Sequence, residues 1–312
     1  MRKLQYLFIA IGTVTFLYLL RKMGVGNIWG ALRLVGWGFI LILSQEIVAY
    51  LLNTLGWRYS FSPGFTPPFK RLLHLRIAGD GLNYLTPSVT LAGEWARTTM
   101  LGDAIPLSER LSSVVMAKLT QGIAQGLMAS SVILWVALHK ISWSQIKNQV
   151  QSGTLLLGGL LLVVVILEIR AWKSGKKEES TNSKPEASGW QAFRKLDKNI
   201  GSFIRNYPIR FALSVFFFFL GFLWGGFEAY WIAHFLNVPI TVSTALCIET
   251  LSVLMDGLFI MVPAKVGTQE ATKTAIFASL GLSPKDGFTF GLIRHLREIS
   301  WALVGLYFLR SR

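Results

Sequence analysis

Asp80, Glu94 and Lys118 lie in or beside long apolar runs, and Asp256, Glu270 and Arg294 return in the same order. Each pair stands 176 positions apart, as 256 stands from 80. Both copies read Asp-Gly-Leu, then proline at Pro87 or Pro263, then the glutamate. Gly93 falls on Gln269 in the same register. Four special positions held in step mark an internal repeat. Charged side chains in an apolar phase are costly, so they pair with one another or meet a charged ligand. Two chemistries stay open. One is a pair of structural ion pairs, Glu94 with Lys118 and Glu270 with Arg294. The other is a phosphate head group that competes for those cations, for which the bidentate fork of arginine is well suited. The substrate-binding candidates are Asn83, Pro87, Glu94, Arg97, Lys118, Pro263, Glu270, Arg294 and Arg297, expected around one central cavity. Lys265 and Lys273 add to its positive charge. Asp80 and Asp256 are expected to mark kinks with a buried hydrogen bond.

Broken helices must position these residues. Residues 72–85 and 91–101 are apolar arms on either side of Pro87. At 1.5 Å per residue they reach roughly 21 and 16 Å, short of the ~30 Å of a hydrocarbon layer. They suit a re-entrant hairpin over 70–101, whose open backbone is buried in protein or lines a watery cavity. Residues 242–262 and 268–280 form the matching hairpin over 242–281, where the re-entrant reading leans on the repeat because the first arm is long enough to cross.

Full spans are expected at 4–20, 36–55, 109–138, 153–172, 209–236 and 288–309. Gln45 and Glu46 in the second should point into the bundle. The first resembles a signal peptide, but Arg21-Lys22 follows it with no small-residue cleavage site, so it reads as retained. Residues 27–35 read as a short link and 57–71 as a basic, proline-rich loop. A charged, low-complexity linker occupies 173–189, and 190–206 has the spacing of an amphipathic helix on an anionic membrane surface. The organisation is thus 1–35, a helix and link; 36–138, the first repeat; 139–208, the fourth span, linker and amphipathic helix; and 209–312, the second repeat.

Composition agrees. The chain has 312 residues, 52% hydrophobic and 15% charged, with a mean hydropathy of +0.49. That describes an all-α polytopic membrane protein. The net charge of +15 clusters between apolar runs, which argues against a nucleic-acid partner. With both termini in the cytoplasm, the inner loops collect most of the Lys and Arg. The two hairpins then enter from opposite sides, the inverted-repeat plan of transporters. Cys247 is the single cysteine, and no metal-ligand spacing, catalytic triad or nucleotide motif is present, so neither cofactor nor enzymatic chemistry is called for.

Residues 83–101, NYLTPSVTLAGEWARTTML, and 262–283, VPAKVGTQEATKTAIFASLGLS, with Gly291, Arg294 and Gly305 after them, resemble the lysylphosphatidylglycerol synthase transmembrane-region family. The resemblance covers roughly 36–309. In that family Pro followed by Gly-Gly-Glu or Gly-x-x-Glu opens the short half-helix, at positions matched here by Pro87, Gly93 and Glu94, and by Pro263, Gly267 and Glu270. Ala92 departs from the Gly-Gly form. No soluble aminoacyl-transferase domain follows Arg312 in this sequence. The resemblance therefore implies a stand-alone, flippase-like protein of the cell inner membrane that translocates an anionic phospholipid or polyprenyl-phosphate lipid. The alternative is a non-transporting partner of a lipid-modifying or hopanoid-pathway enzyme. A membrane-embedded transferase ranks last. Membrane lipids are the expected partners, and a homo-oligomer stays open.

Overall fold

The structure, a computed structural model, describes residues 25–86, 91–138, 200–258, 263–265 and 267–310. Every regular element among them is helical. α1 spans Val25–Val35, α2 Gly38–Tyr59, α3 Phe69–Leu85, α4 Leu91–Met100 and α5 Leu107–Leu138. After a helical turn at 200–206 come α6 at Pro208–Phe235, α7 at Val242–Leu258, α8 at Thr268–Ser279 and α9 at Pro284–Arg310. Short 3-10 turns sit at Pro63–Phe65 and Pro263–Lys265. The expected spans at 4–20 and 153–172, the linker, most of the amphipathic helix, and Pro87 with the tip of the first hairpin lie outside the described residues.

The helix ends follow local chemistry. Thr86 is extended at φ −111°, ψ 141°, as the residue before a proline prefers, and α3 stops there. Its hydroxyl returns to the Leu82 carbonyl at 2.6 Å. Pro208 and Pro284 open α6 and α9, where a missing N–H costs nothing. The Thr241 hydroxyl accepts the Thr244 N–H at 3.2 Å and caps α7.

Two expected boundaries are corrected. Residues 27–35 are not a link but most of the helix α1. Ala31 and Val35 stand one helical turn apart and pack into the core with Ile232 and Ile293, which holds this segment as a helix. α2 runs on to Tyr59, so Trp57 and Arg58 are helical rather than loop. Trp57 is buried, and the Arg210 guanidinium on α6 secures the end of α2 by donating to the Arg58 and Phe61 carbonyls. α7 is described from Val242 to Leu258, and the remainder of the expected arm, 259–262, lies outside the described residues. At about 25 Å, the 17 residues of α3 fall short of a ~30 Å hydrocarbon layer.

α2 and α6 are long and apolar enough to cross a membrane. They pack against each other, and Ser60 and Ser214 share a hydroxyl contact at 3.0 Å, continued to Thr120 of α5 at 2.8 Å. Such contacts hold helices together where no hydrophobic drive separates protein from lipid. α3 lies along α9 at very short range. A Cβ on Gly305 would stand 2.6 Å from the Ile77 carbonyl, and one on Gly81 would stand 2.9 Å from that of Ala302. The first hairpin is thereby seated against the last helix of the second repeat.

Candidate functional site

Each broken helix pair is closed by one aspartate on its first arm and one cation on its second. In the first, Asp80 of α3 accepts from Arg97 of α4 at 2.5 Å. In the second, Asp256 of α7 accepts from Lys273 of α8 at 3.1 Å. Both pairs are separated by 17 positions and stand 176 residues apart, the register read in the sequence. Arg97 is 2% exposed and Lys273 is fully buried, whereas the side chains of Asp80 and Asp256 are 34% and 26% exposed, so each pair is sealed on its cation side only.

Around Arg97 a cluster forms. Arg76 bonds Asp80 at 3.0 Å, Arg97 reaches Glu94 at 2.7 Å, and Lys118 of α5 meets the same Glu94 oxygen at 2.8 Å. The arms approach so closely because Gly93 has no side chain. A Cβ there would stand 2.1 Å from the Gly79 carbonyl. The Gly93 N–H donates to the Asn83 side-chain oxygen at 2.7 Å. Asn83 thus fastens the two arms together.

The second repeat carries a longer chain of ion pairs. Lys265 joins Asp256 at 2.7 Å to Glu298 of α9 at 3.3 Å. Arg294 sits between Glu249 of α7 at 2.5 Å and Glu228 of α6 at 3.2 Å. Arg297 faces Glu228 at 3.0 Å and Glu298 at 3.4 Å, and also bonds Glu46 of α2. Five carboxylates, Glu46, Glu228, Glu249, Asp256 and Glu298, therefore share four cations, Lys265, Lys273, Arg294 and Arg297. The first cluster has the opposite imbalance, with Arg76, Arg97 and Lys118 against Asp80 and Glu94.

Between the two clusters lies a cavity of about 200 Å³. Glu46, Tyr50 and Asn53 of α2 form one wall, Asp80, Gly81 and Tyr84 of α3 a second. Lys265 from the turn and Arg297, Glu298 and Trp301 from α9 complete it. Lys265 reaches in from a strained backbone: Ala264 and Lys265 are consecutive non-glycine residues with φ of 49° and 53°. Left-handed positions of this kind cost on the order of 1–3 kcal/mol each and gather at functional sites.

The candidates are thus distributed rather than gathered in one ring. Arg297 lines the cavity; Pro263 opens the turn that delivers Lys265. Glu94, Arg97 and Lys118 form the first cluster behind Asp80, with the expected Glu94–Lys118 pair in place. Glu270 does not pair with Arg294. Its carboxylate takes His295, the next residue along α9, at 2.5 Å, while Arg294 turns to Glu228 and Glu249. Asp80 and Asp256 are ion-pair centres, more than kink markers. Glu46, Glu228, Glu249 and His295 are site residues that were not among the sequence candidates. Their signal was in the sequence, as ionisable groups inside apolar runs.

No curated protein and no solved structure matches the chain. Its helices, its buried charges at repeated positions and its paired short arms fit a membrane-embedded, lipid-related protein. Residues 5–305 match the model of one family, and the chain belongs to it: the lysylphosphatidylglycerol synthase TM region.

Proposed function

We propose that this protein translocates a phospholipid between leaflets, with the head group passing through the cavity between the two hairpins. The observation that carries this reading is the cavity itself, walled by both repeats and lined by charged groups of both signs. A lipid phosphate is matched by Lys265 and Arg297, and head-group donors by Glu46, Asp80 and Glu298. An anionic phospholipid or polyprenyl phosphate supplies that chemistry. The protein acts as a translocase and makes or breaks no covalent bond.

The arrangement in the membrane that supports this function has six spans and two re-entrant hairpins that approach from opposite faces, with both termini cytoplasmic. Long helices such as α5 and α9, with 32 and 27 residues, reach roughly 48 and 40 Å and can cross despite their charges. Discontinuous arms meeting near the midplane are the form such sites take in transporters.

The test is lipid exchange in vesicles containing head-group-labelled phospholipid and an impermeant quencher. Purified protein should carry quenching beyond the outer-leaflet half, for phosphatidylglycerol more than for a neutral glycolipid. Quenching that stops at half for every head group would favour the membrane-partner reading. Cysteine accessibility from each side of the membrane, on a Cys247→Ser background, tests the opposite orientations of the two hairpins.

A further inference from the structure

Arg297 is over-subscribed. A guanidinium carries one positive charge, and this one is shared among Glu46, Glu228 and Glu298. Glu228 has a second cation in Arg294, and Glu298 a second in Lys265. Glu46 has no second cation in ion-pair contact among the described residues. Every other charged group around it is engaged. From α3 the cavity receives Asp80, which Arg76 and Arg97 hold, and the phenol of Tyr84; from α2 itself, Tyr50. The turn supplies Lys265, held by Asp256 and Glu298. The surplus cation of the first cluster, Lys118, is committed to Glu94 and stands outside the cavity lining. A largely buried carboxylate that loses its single cation takes up a proton in preference to staying charged.

We propose that Glu46 is a proton-binding site in the cavity wall, and that its carboxylate and the head-group phosphate compete for Arg297, so that proton and head group favour each other's binding. When Arg297 bonds Glu46, the carboxylate is ionised. When a phosphate takes Arg297, Glu46 gains one proton, with no other bond made or broken. The two ligands are then linked, each altering the affinity for the other by the same factor. The linkage rests on the head-group reading above; the proton site itself does not.

Infrared difference spectroscopy of the purified protein tests the proton site without any lipid movement. Lowering the pH, or adding phosphatidylglycerol at fixed pH, should raise a carboxyl C=O band that shifts in D2O. The band should vanish in Glu46→Gln and persist in Glu249→Gln. Absence of the band in the wild type, or its survival in Glu46→Gln, overturns the proposal. Below the pH at which the band titrates the amide imitates the neutral acid, so there Glu46→Gln should melt within about 2 °C of the wild type, a shift below about 1 kcal/mol. A drop much larger than that at such a pH would show a permanently charged Glu46 and equally overturn the proposal. In vesicles, the wild-type exchange rate should change at least about fivefold across the pH range in which the band titrates, and Glu46→Gln should be flat. A pH-independent wild-type rate would overturn the linkage. A wild type that moves no lipid would instead refute the transport reading, with the infrared result still deciding the proton site.

Discussion

The two hairpins keep the same aspartate-to-cation closure at the same 17-residue spacing, yet they are packed by opposite means. At Gly93 the first has no room for a methyl group, whereas the second carries the whole buried side chain of Gln269 at that position. At Gly81 the first lies against the backbone of α9, whereas a Cβ on its counterpart Gly257 would meet nothing within 4 Å among the described residues. Lys118 is 43% exposed on its side chain and meets one carboxylate; Arg294 is buried and meets two. The first hairpin is fixed by backbone contact, with its charges as an accessory. The second is fixed by charge, around a strained turn. A repeat can hold its register while each copy takes on a different task.

The strongest test of this contrast is Arg294→Ala. It strands Glu249 in the interior and leaves Glu228 to Arg297 alone, and losing one partner of a buried pair costs about 3–5 kcal/mol. The variant should be recovered in low yield with a melting temperature far below the wild type, as judged by thermal size-exclusion in detergent. Retention of full stability would show that charge does not hold the second hairpin.

Gly93→Ala comes next. Overpacking costs roughly 1–3 kcal/mol, and here the clash is with backbone, which has little freedom to yield. The first hairpin should open as Asn83 loses its bond to the backbone of residue 93. Single cysteines placed at 84–86 should then label faster than in the unsubstituted protein. If melting and labelling are unchanged, the tight closure of α3 on α4 is wrong.

A milder pair of variants isolates the α3–α9 crossing. Gly81→Ala should lower stability by about 1–2 kcal/mol, while Gly257→Ala should be neutral or gain a few tenths, since open space and helix propensity both favour alanine. Equal effects on melting from the two would erase the distinction between the hairpins. The smallest effect is expected for Lys118→Ala. A half-exposed ion pair contributes about 0–1 kcal/mol, so melting should barely move. A loss as large as that of Arg294→Ala would make the repeats energetically alike after all.

Much of this was legible in the sequence. Pro87, Pro263, the paired aspartates and the apolar run lengths locate both broken helices to within a few residues. Glu94 with Lys118 was readable because one repeat unit contains both. The partners of Arg297 and Arg294 were not. Glu46 and Arg297 stand 251 positions apart, and Arg294 lies 66 from Glu228 and 45 from Glu249, so only the packing of α2, α6, α7 and α9 brings them together. Repeat logic also misled at Glu270. The counterpart of His295 in the first repeat is Leu119, which offers nothing to a carboxylate, so the aligned cation Arg294 drew attention from its neighbour. Local periodicity carries the elements, but the assignment of charge to charge is a property of the assembled bundle.

The crossing of α3 and α9 at Gly81 and Gly305 has a mechanical consequence. Interlocked side chains resist a change of angle, because each must leave its rotamer and its socket. A contact made of bare backbone has no such teeth, and weak Cα–H···O contacts of this sort vary smoothly with orientation. The angle of the crossing is therefore set from outside the contact, by the ion pairs of Asp80 with Arg76 and Arg97 that stand directly beside Gly81.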